Sequence, residues 1–266
     1  MLQVNAISAF KDNYIWVLHD PEQTGSAWVV DPGDWRPVEA YLDRSGKPLG
    51  GILITHHHPD HTAGLARLAR ERTNLPIVGP AGERIGGLTH AVQEGETVSL
   101  QALDRAAPDV EFDVIEVPGH TRGHIAYHAP GQALLFCGDT LFSCGCGRLF
   151  EGTAAQMVDS LAKLRELPPD TAVYPAHEYT LANIVFAQTV EPENLALAQR
   201  QHEAQRQRQQ GRPTLPTSID VERATNPFLR WDEPAVTAAA EARAETALDA
   251  PAEVFAALRA WKDDFG

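Results

Sequence analysis

A chain of 266 residues, 43% apolar and 22% charged, has the length and composition of one large globular domain or a medium domain with a smaller partner. Its net charge of −14 excludes a broad phosphate-binding surface, so nucleic acid is not an expected partner, and an anionic substrate would need a local basic pocket. No stretch has the apolar length of a membrane span, the N-terminal MLQVNAISAFKDNY lacks the pattern of a secretory leader, and Cys137, Cys144 and Cys146 are too few for a disulfide framework. These features predict a cytoplasmic protein with no membrane partner, and a monomer is expected.

In chain order, LQVNAIS, YIWVLHD and SAWVVDPG read as successive strands separated by turn residues, and GGILITHHH as a buried strand running into a loop. Leu65, Leu68 and Ala69 have helical spacing, which predicts a helix from near Asp60 through residues 61–73. PIVGP, VEFDVIEVPG, HIAYHAP and ALLFCGD supply further strands, TAAQMVDSLAKLRE a helix, and TAVYPAH a strand ending in a histidine. Beyond about residue 178 the character changes: NLALAQRQHEAQRQRQQ is helical and polar, GRPTLPTS resembles a crossing linker, and AEVFAALRAWKDDF closes as a helix. The Gln/Arg stretch at 199–210 is read as a solvated helix face. The division expected is residues 1–177, β-rich, and 178–266, helical.

THHHPDH, residues 55–61, places four histidines and an aspartate at the end of an apolar strand. His56 and His58 can turn to one side of an extended loop, with Asp60 and His61 facing the same point from a helix start. Imidazole with carboxylate suits Zn²⁺, Fe or Mn²⁺. His57 points the other way and is given no ligand role. His120, Asp139 and His177 each follow an apolar strand too, and strand ends on one edge are where α/β-type sheets place chemistry.

THHHPDH, PGHTRGH, GDTLF and AHEYT, in this order and spacing, resemble the metallo-β-lactamase fold superfamily. GCGRLFEGT, HEYTLAN and TNPFLR narrow the resemblance to glyoxalase II, the hydroxyacylglutathione hydrolases, and the likeness runs from AFKDNYIWVL to LRAWKDDF. It implies an α/β fold: an αββα sandwich holding two divalent metals, most often zinc with iron or manganese as alternatives, then a smaller α-helical substrate domain. Carried onto this chain, the first metal takes His56, His58 and His120, the second Asp60, His61 and His177, and Asp139 bridges them. Asp60 and Asp139 are the catalytic carboxylates. The implied activity is hydrolysis of S-D-lactoylglutathione to D-lactate and glutathione by hydroxide attack on the thioester. Glutathione would meet Arg148, Tyr179, Asn183, Arg259 and Lys262, the last two sharing one helix face as a carboxylate clamp. Phe150 stands where certain relatives carry tyrosine.

Four residues have two readings. His124 is either a donor to the site or a loop stabiliser; Asp31 either orients a ligating histidine or serves an Asp-Pro-Gly turn. Cys144 and Cys146 form a CxC pair, read as small buried thiols because the ligand set is complete without them. Rival functions are a persulfide dioxygenase with one iron, a nuclease or β-lactamase of the same superfamily, and a non-catalytic metal-binding module.

Overall fold

In the computed structural model, residues 2–22 and 24–265 are described, and they form two compact units: the described residues up to 116 with 122–138, and residues 117–121 with those from 139 to 265. The first unit carries two sheets. One has the order β1 (Gln3–Ala9), β2 (Asn13–His19), β3 (Ala27–Val30), β4 (Leu49–Leu53), β5 (Ile77–Pro80), β6 (His90–Val92). Its first three strands are antiparallel, and from β3 onward neighbours are parallel. Helices α1 (Trp35–Ser45), α2 (Pro59–Thr62) and α3 (Leu65–Ala69) occupy the connections of this sheet. One face buries Ile15, Val17, Val29, Ile52 and Ile54 with Val38 and Leu42 of α1 and Leu65 and Leu68 of α3. Fully buried, a Leu or Val side chain contributes about 1.5–3 kcal/mol, so this layer is a principal stabiliser of the unit.

The other sheet of this unit runs β10-β9-β8-β7, where β7 is Thr97–Ser99, β8 Glu111–Glu116, β9 Ile125–Ala129 and β10 Leu134–Gly138; α4 (Leu100–Leu103) follows β7. These strands are antiparallel. Phe112, Tyr127 and Phe136 stack edge to face within it. The Tyr127 hydroxyl donates to the carbonyls of Ile54 and Val78 at 2.9 and 3.3 Å, joining the two sheets. Burial holds that phenol well above its ordinary pKa, so it remains a donor.

The second unit holds the hairpin β11 (Leu141–Phe142) with β12 (Gly145–Cys146), the pair β13 (Ala172–Pro175) with β14 (Thr217–Ser218), and six helices among its described residues: α5 (Ala154–Arg165), α6 (Thr180–Val190), α7 (Leu195–Gln209), α8 (Ile219–Thr225), α9 (Pro234–Ala244) and α10 (Pro251–Asp264). Thr153 caps α5 with a reciprocal Gln156 capping box. Phe186, Phe228 and Phe255 are fully buried among the helices, with Phe228 stacked on Phe186 and edge to face with Phe255.

Three sequence expectations change. The helix expected over 61–73 is two short helices, α2 and α3; between them Gly64 passes close to Pro32, whose carbonyl oxygen would lie 2.2 Å from an added Cβ. The Gln/Arg stretch is not solvated throughout: Arg200 and Ala204 are buried, and Arg200 donates to the Thr214 carbonyl at 2.9 Å and the Ser143 hydroxyl at 3.3 Å. GRPTLPTS is anchored, with Glu178 accepting from the Thr214 amide at 2.8 Å and Thr217–Ser218 pairing with β13.

Candidate metal centre and cation cluster

β4 ends at Leu53 and delivers Thr55–His61 as an extended segment that turns into α2 at Pro59, where proline suits the first helical position. Gly33 permits this turn to pack tightly, since an added Cβ would lie 1.8 Å from the Asp60 carbonyl oxygen. His56 is fully buried, and its Nε2 lies 3.1 Å from His58 Nδ1. His61 is also fully buried, with Nε2 3.4 Å from Asp60 Oδ2. Four adjacent donors thus converge in two pairs, His56 with His58 and Asp60 with His61.

The supports of these donors are in the same unit. Asp31, at φ 53°, accepts from the Thr55 amide (2.8 Å) and hydroxyl (2.7 Å), and its Oδ2 lies 3.1 Å from His61 Nδ1. That contact sets the Asp31 carboxylate beside the His61 ring, a placement suited to orienting the imidazole. Asn13 donates to Asp60 Oδ2 at 3.0 Å. His124 is fully buried and stacks on His56 at 4.6 Å and 19°. His57 points elsewhere and bonds the buried Glu83 carboxylate at 3.0 Å, whose other oxygen lies 3.3 Å from the Gly123 amide.

In the second unit the three remaining expected donors meet. Asp139 Oδ2 is 3.4 Å from His120 Nε2, and Asp139 Oδ1 is 3.4 Å from His177 Nε2. One carboxylate thus offers a separate oxygen to each of two imidazoles. His120 Nδ1 donates to the Arg148 carbonyl at 2.9 Å, which directs its Nε2 toward Asp139. Gly147 makes this approach possible: an added Cβ would lie 1.9 Å from the Asp139 carbonyl oxygen. His177 stacks on Tyr179 at 4.8 Å and 8°, and Phe150, 63% exposed, sets its ring edge-on to His120 at 5.2 Å.

The same unit gathers the residues expected to meet glutathione. Arg259 of α10 is buried, donating through Nη1 to the Cys146 carbonyl (3.1 Å) and through Nη2 to Asp263 Oδ1 (2.9 Å). Lys262 Nζ donates to the Ala182 carbonyl at 3.3 Å and lies over Phe186 and Phe265. Burial, then the charges of Arg259 and Arg148, lower its pKa. Arg148 is largely exposed, with Nε 3.5 Å from Asp263 Oδ1. Tyr179 is half-buried, and Asn183 is buried with its amide on the Ser143 carbonyl at 3.0 Å. Cys144 and Cys146 are buried thiols, their pKa pushed up by desolvation to about 12 and about 11; a thiolate ligand role is not what their surroundings favour.

Sequence reasoning missed Asn13, Glu83 and Asp263. Asn13 was legible only as part of a turn, and the other two carry no motif signal.

Fold and donors together define a metallo-β-lactamase-type hydrolase, a class built around divalent metal, and neutral imidazole with carboxylate in the two donor sets fits such an ion. The metallo-β-lactamase superfamily model matches residues 12–177, and the model for the hydroxyacylglutathione hydrolase C-terminus matches residues 178–265. The hydroxyacylglutathione hydrolase of Cupriavidus taiwanensis is 54% identical, with all of both chains covered, and that of Pseudomonas aeruginosa PAO1 51%, again over both full lengths. Among solved structures, ETHE1 from Myxococcus xanthus aligns over 100% of both chains with TM-score 0.63 and 25% identity. The BLEG-1 B3 metallo-β-lactamase covers 86% of this chain and 99% of its own, with TM-score 0.61 and 21% identity. This chain belongs to the hydroxyacylglutathione hydrolases, the glyoxalase II family.

Proposed function

We propose that this enzyme hydrolyses S-D-lactoylglutathione to D-lactate and glutathione at a centre of two divalent metals, zinc being the ion the donors suit best. His56, His58 and His120 would hold one ion and Asp60, His61 and His177 the other, with Asp139 shared. The arrangement of Asp139, one oxygen toward each of two histidines, supports the shared role. Bound divalent ions lower the pKa of water and polarise a carbonyl. The chain's own part is to hold the donors: Asp31 sets His61, Asn13 sets Asp60, and the Arg148 carbonyl sets His120. The leaving thiol, with a pKa near ~8.5, requires little help from a general acid, which agrees with the absence of a spare acid in the motif set.

The observation that carries the substrate assignment is the cation cluster Arg148, Arg259 and Lys262 in a chain of net charge −14. Such a cluster suits a carboxylate-bearing ligand, for which a simple metal store would have no use; the match of residues 178–265 to the hydroxyacylglutathione hydrolase C-terminus favours a glutathione thioester over a β-lactam. Tyr179 and Asn183 complete the proposed set, the Asn183 amide donating to the Ser143 carbonyl at 3.0 Å. We also propose action as a monomer without nucleic-acid or membrane partners; the acidic charge supports the former exclusion, and no helix among the described residues is long and apolar enough to cross a membrane.

The test is hydrolysis of S-D-lactoylglutathione with metal quantification on the same preparation. Asp139→Ala is expected to abolish turnover and Lys262→Ala to raise KM; unchanged kinetics in the latter would remove the clamp, and oxygen uptake with glutathione persulfide would favour the dioxygenase.

A further inference from the structure

The cation cluster already contains a carboxylate. Asp263 Oδ1 accepts from Arg259 Nη2 at 2.9 Å and lies 3.5 Å from Arg148 Nε, so one oxygen engages two of the three cations. Arg259 is fixed from behind by the Cys146 carbonyl and its guanidinium stacks on Phe228 at 5.2 Å, so it cannot swing away from Asp263 without losing both. Asp263 itself is 43% exposed in its side chain, on the last turn of α10 beside Lys262. A carboxylate is also what the proposed substrate brings to this cluster.

We propose that Asp263 is a resident competitor in the glutathione-binding cluster: it occupies donor capacity of Arg259 and Arg148 and so weakens the hold on the glutathionyl carboxylate. The inference rests on the thioesterase reading above. Its consequence follows from what substrate and product share. Both carry the glutathionyl group, so a charge near that group changes both affinities by one factor and leaves the barrier of the chemical step alone. Three cations with no internal anion would bind substrate more tightly and would retain glutathione after cleavage just as tightly. Asp263 thus favours product release over affinity.

Asp263→Asn separates charge from shape, because the amide oxygen can still accept from Arg259. Removing one screened unit charge at contact distance is expected to lower KM for S-D-lactoylglutathione about threefold to tenfold. The inhibition constant of free glutathione should fall by the same factor, kcat should not rise, and raised ionic strength should shrink the difference. Asp263→Ser, smaller and uncharged, is the second variant, and thermal unfolding verifies that each is folded. A KM that rises or stays unchanged in folded variants overturns the inference and leaves Asp263 as a fastener of Arg259. So does a fall in KM without a matching fall in glutathione inhibition. A wild-type enzyme that hydrolyses no glutathione thioester overturns the functional reading and this inference with it.

Discussion

Replacing Asp31 by asparagine separates the metal-supporting role proposed for this residue from its role in the turn. Asparagine tolerates the left-handed φ of 53° at this position, so the backbone contributes little to the change. The carboxylate serves two sides at once: Oδ1 accepts from the Thr55 amide at 2.8 Å, while Oδ2 accepts from the Thr55 hydroxyl at 2.7 Å and meets His61 Nδ1 at 3.1 Å. Asparagine has one accepting oxygen. If it keeps the Thr55 amide, His61 loses its neighbouring carboxylate, and metal affinity is expected to fall about 10- to 100-fold, or about 1.4–2.7 kcal/mol. If it keeps His61, a buried N–H is left unpaired at a cost of about 1–3 kcal/mol of stability. Chelator competition on the loaded enzyme reads the first and urea unfolding of the metal-free protein reads the second. A variant unchanged in both would refute the assignment of Asp31 as the residue that orients His61.

Phe10 is 59% exposed at φ 51°, a conformation that strains any residue with a Cβ, so Phe10→Gly should be about 1 kcal/mol more stable than Phe10→Ala by chemical denaturation. Glu39 receives two 2.8 Å bonds from Arg72, which lower its pKa from 4.5. A depressed carboxyl stabilises the fold above its unfolded pKa and ceases to do so as the proton returns. The wild type should therefore exceed Glu39→Gln by about 1 kcal/mol at pH 7, with the gap closing as pH falls below about 4.5; a gap that persists at low pH would contradict this. Buried Glu222 accepts from the Cys144 amide, the Thr217 hydroxyl and the Asn226 amide. Glu222→Gln brings two N–H donors of its own and orphans at least one of these, costing about 1–3 kcal/mol in thermal unfolding.

The strands were legible because their signal is local: YIWVLH and LLFCG bury every side chain and read as unbroken apolar runs. The candidate donors stand out in the sequence for the same reason, being spaced motifs at strand ends. Helix α1 was not foreseen: it contains Pro37 in its first turn and buries only Val38 and Leu42 fully, too sparse a stripe to announce a helix. The supporting residues were hidden because their partners are distant in sequence. Asn13 reaches Asp60 across 47 positions and His57 reaches Glu83 across 26, and no periodicity records such a pair. Arg259 and Lys262 were placed correctly on one helix, but the internal carboxylate at Asp263 changes what they offer a ligand.

The family boundary after His177 and the boundary of the compact units do not coincide: residues 139–177 match the metallo-β-lactamase superfamily in sequence yet pack with the helices. The tie is specific, since Glu222 and Asn226 hold the Cys144 amide and the carbonyls of Phe142 and Gly145. A chimera joined at residue 178 would therefore inherit Asp139 from one parent and the scaffold of its neighbouring hairpin from another. Exchange of the helical segment between relatives is expected to work only when it brings along the stretch from Asp139, so Asp139 and the helices that pack with its hairpin are expected to pass through recombination as a single heritable block.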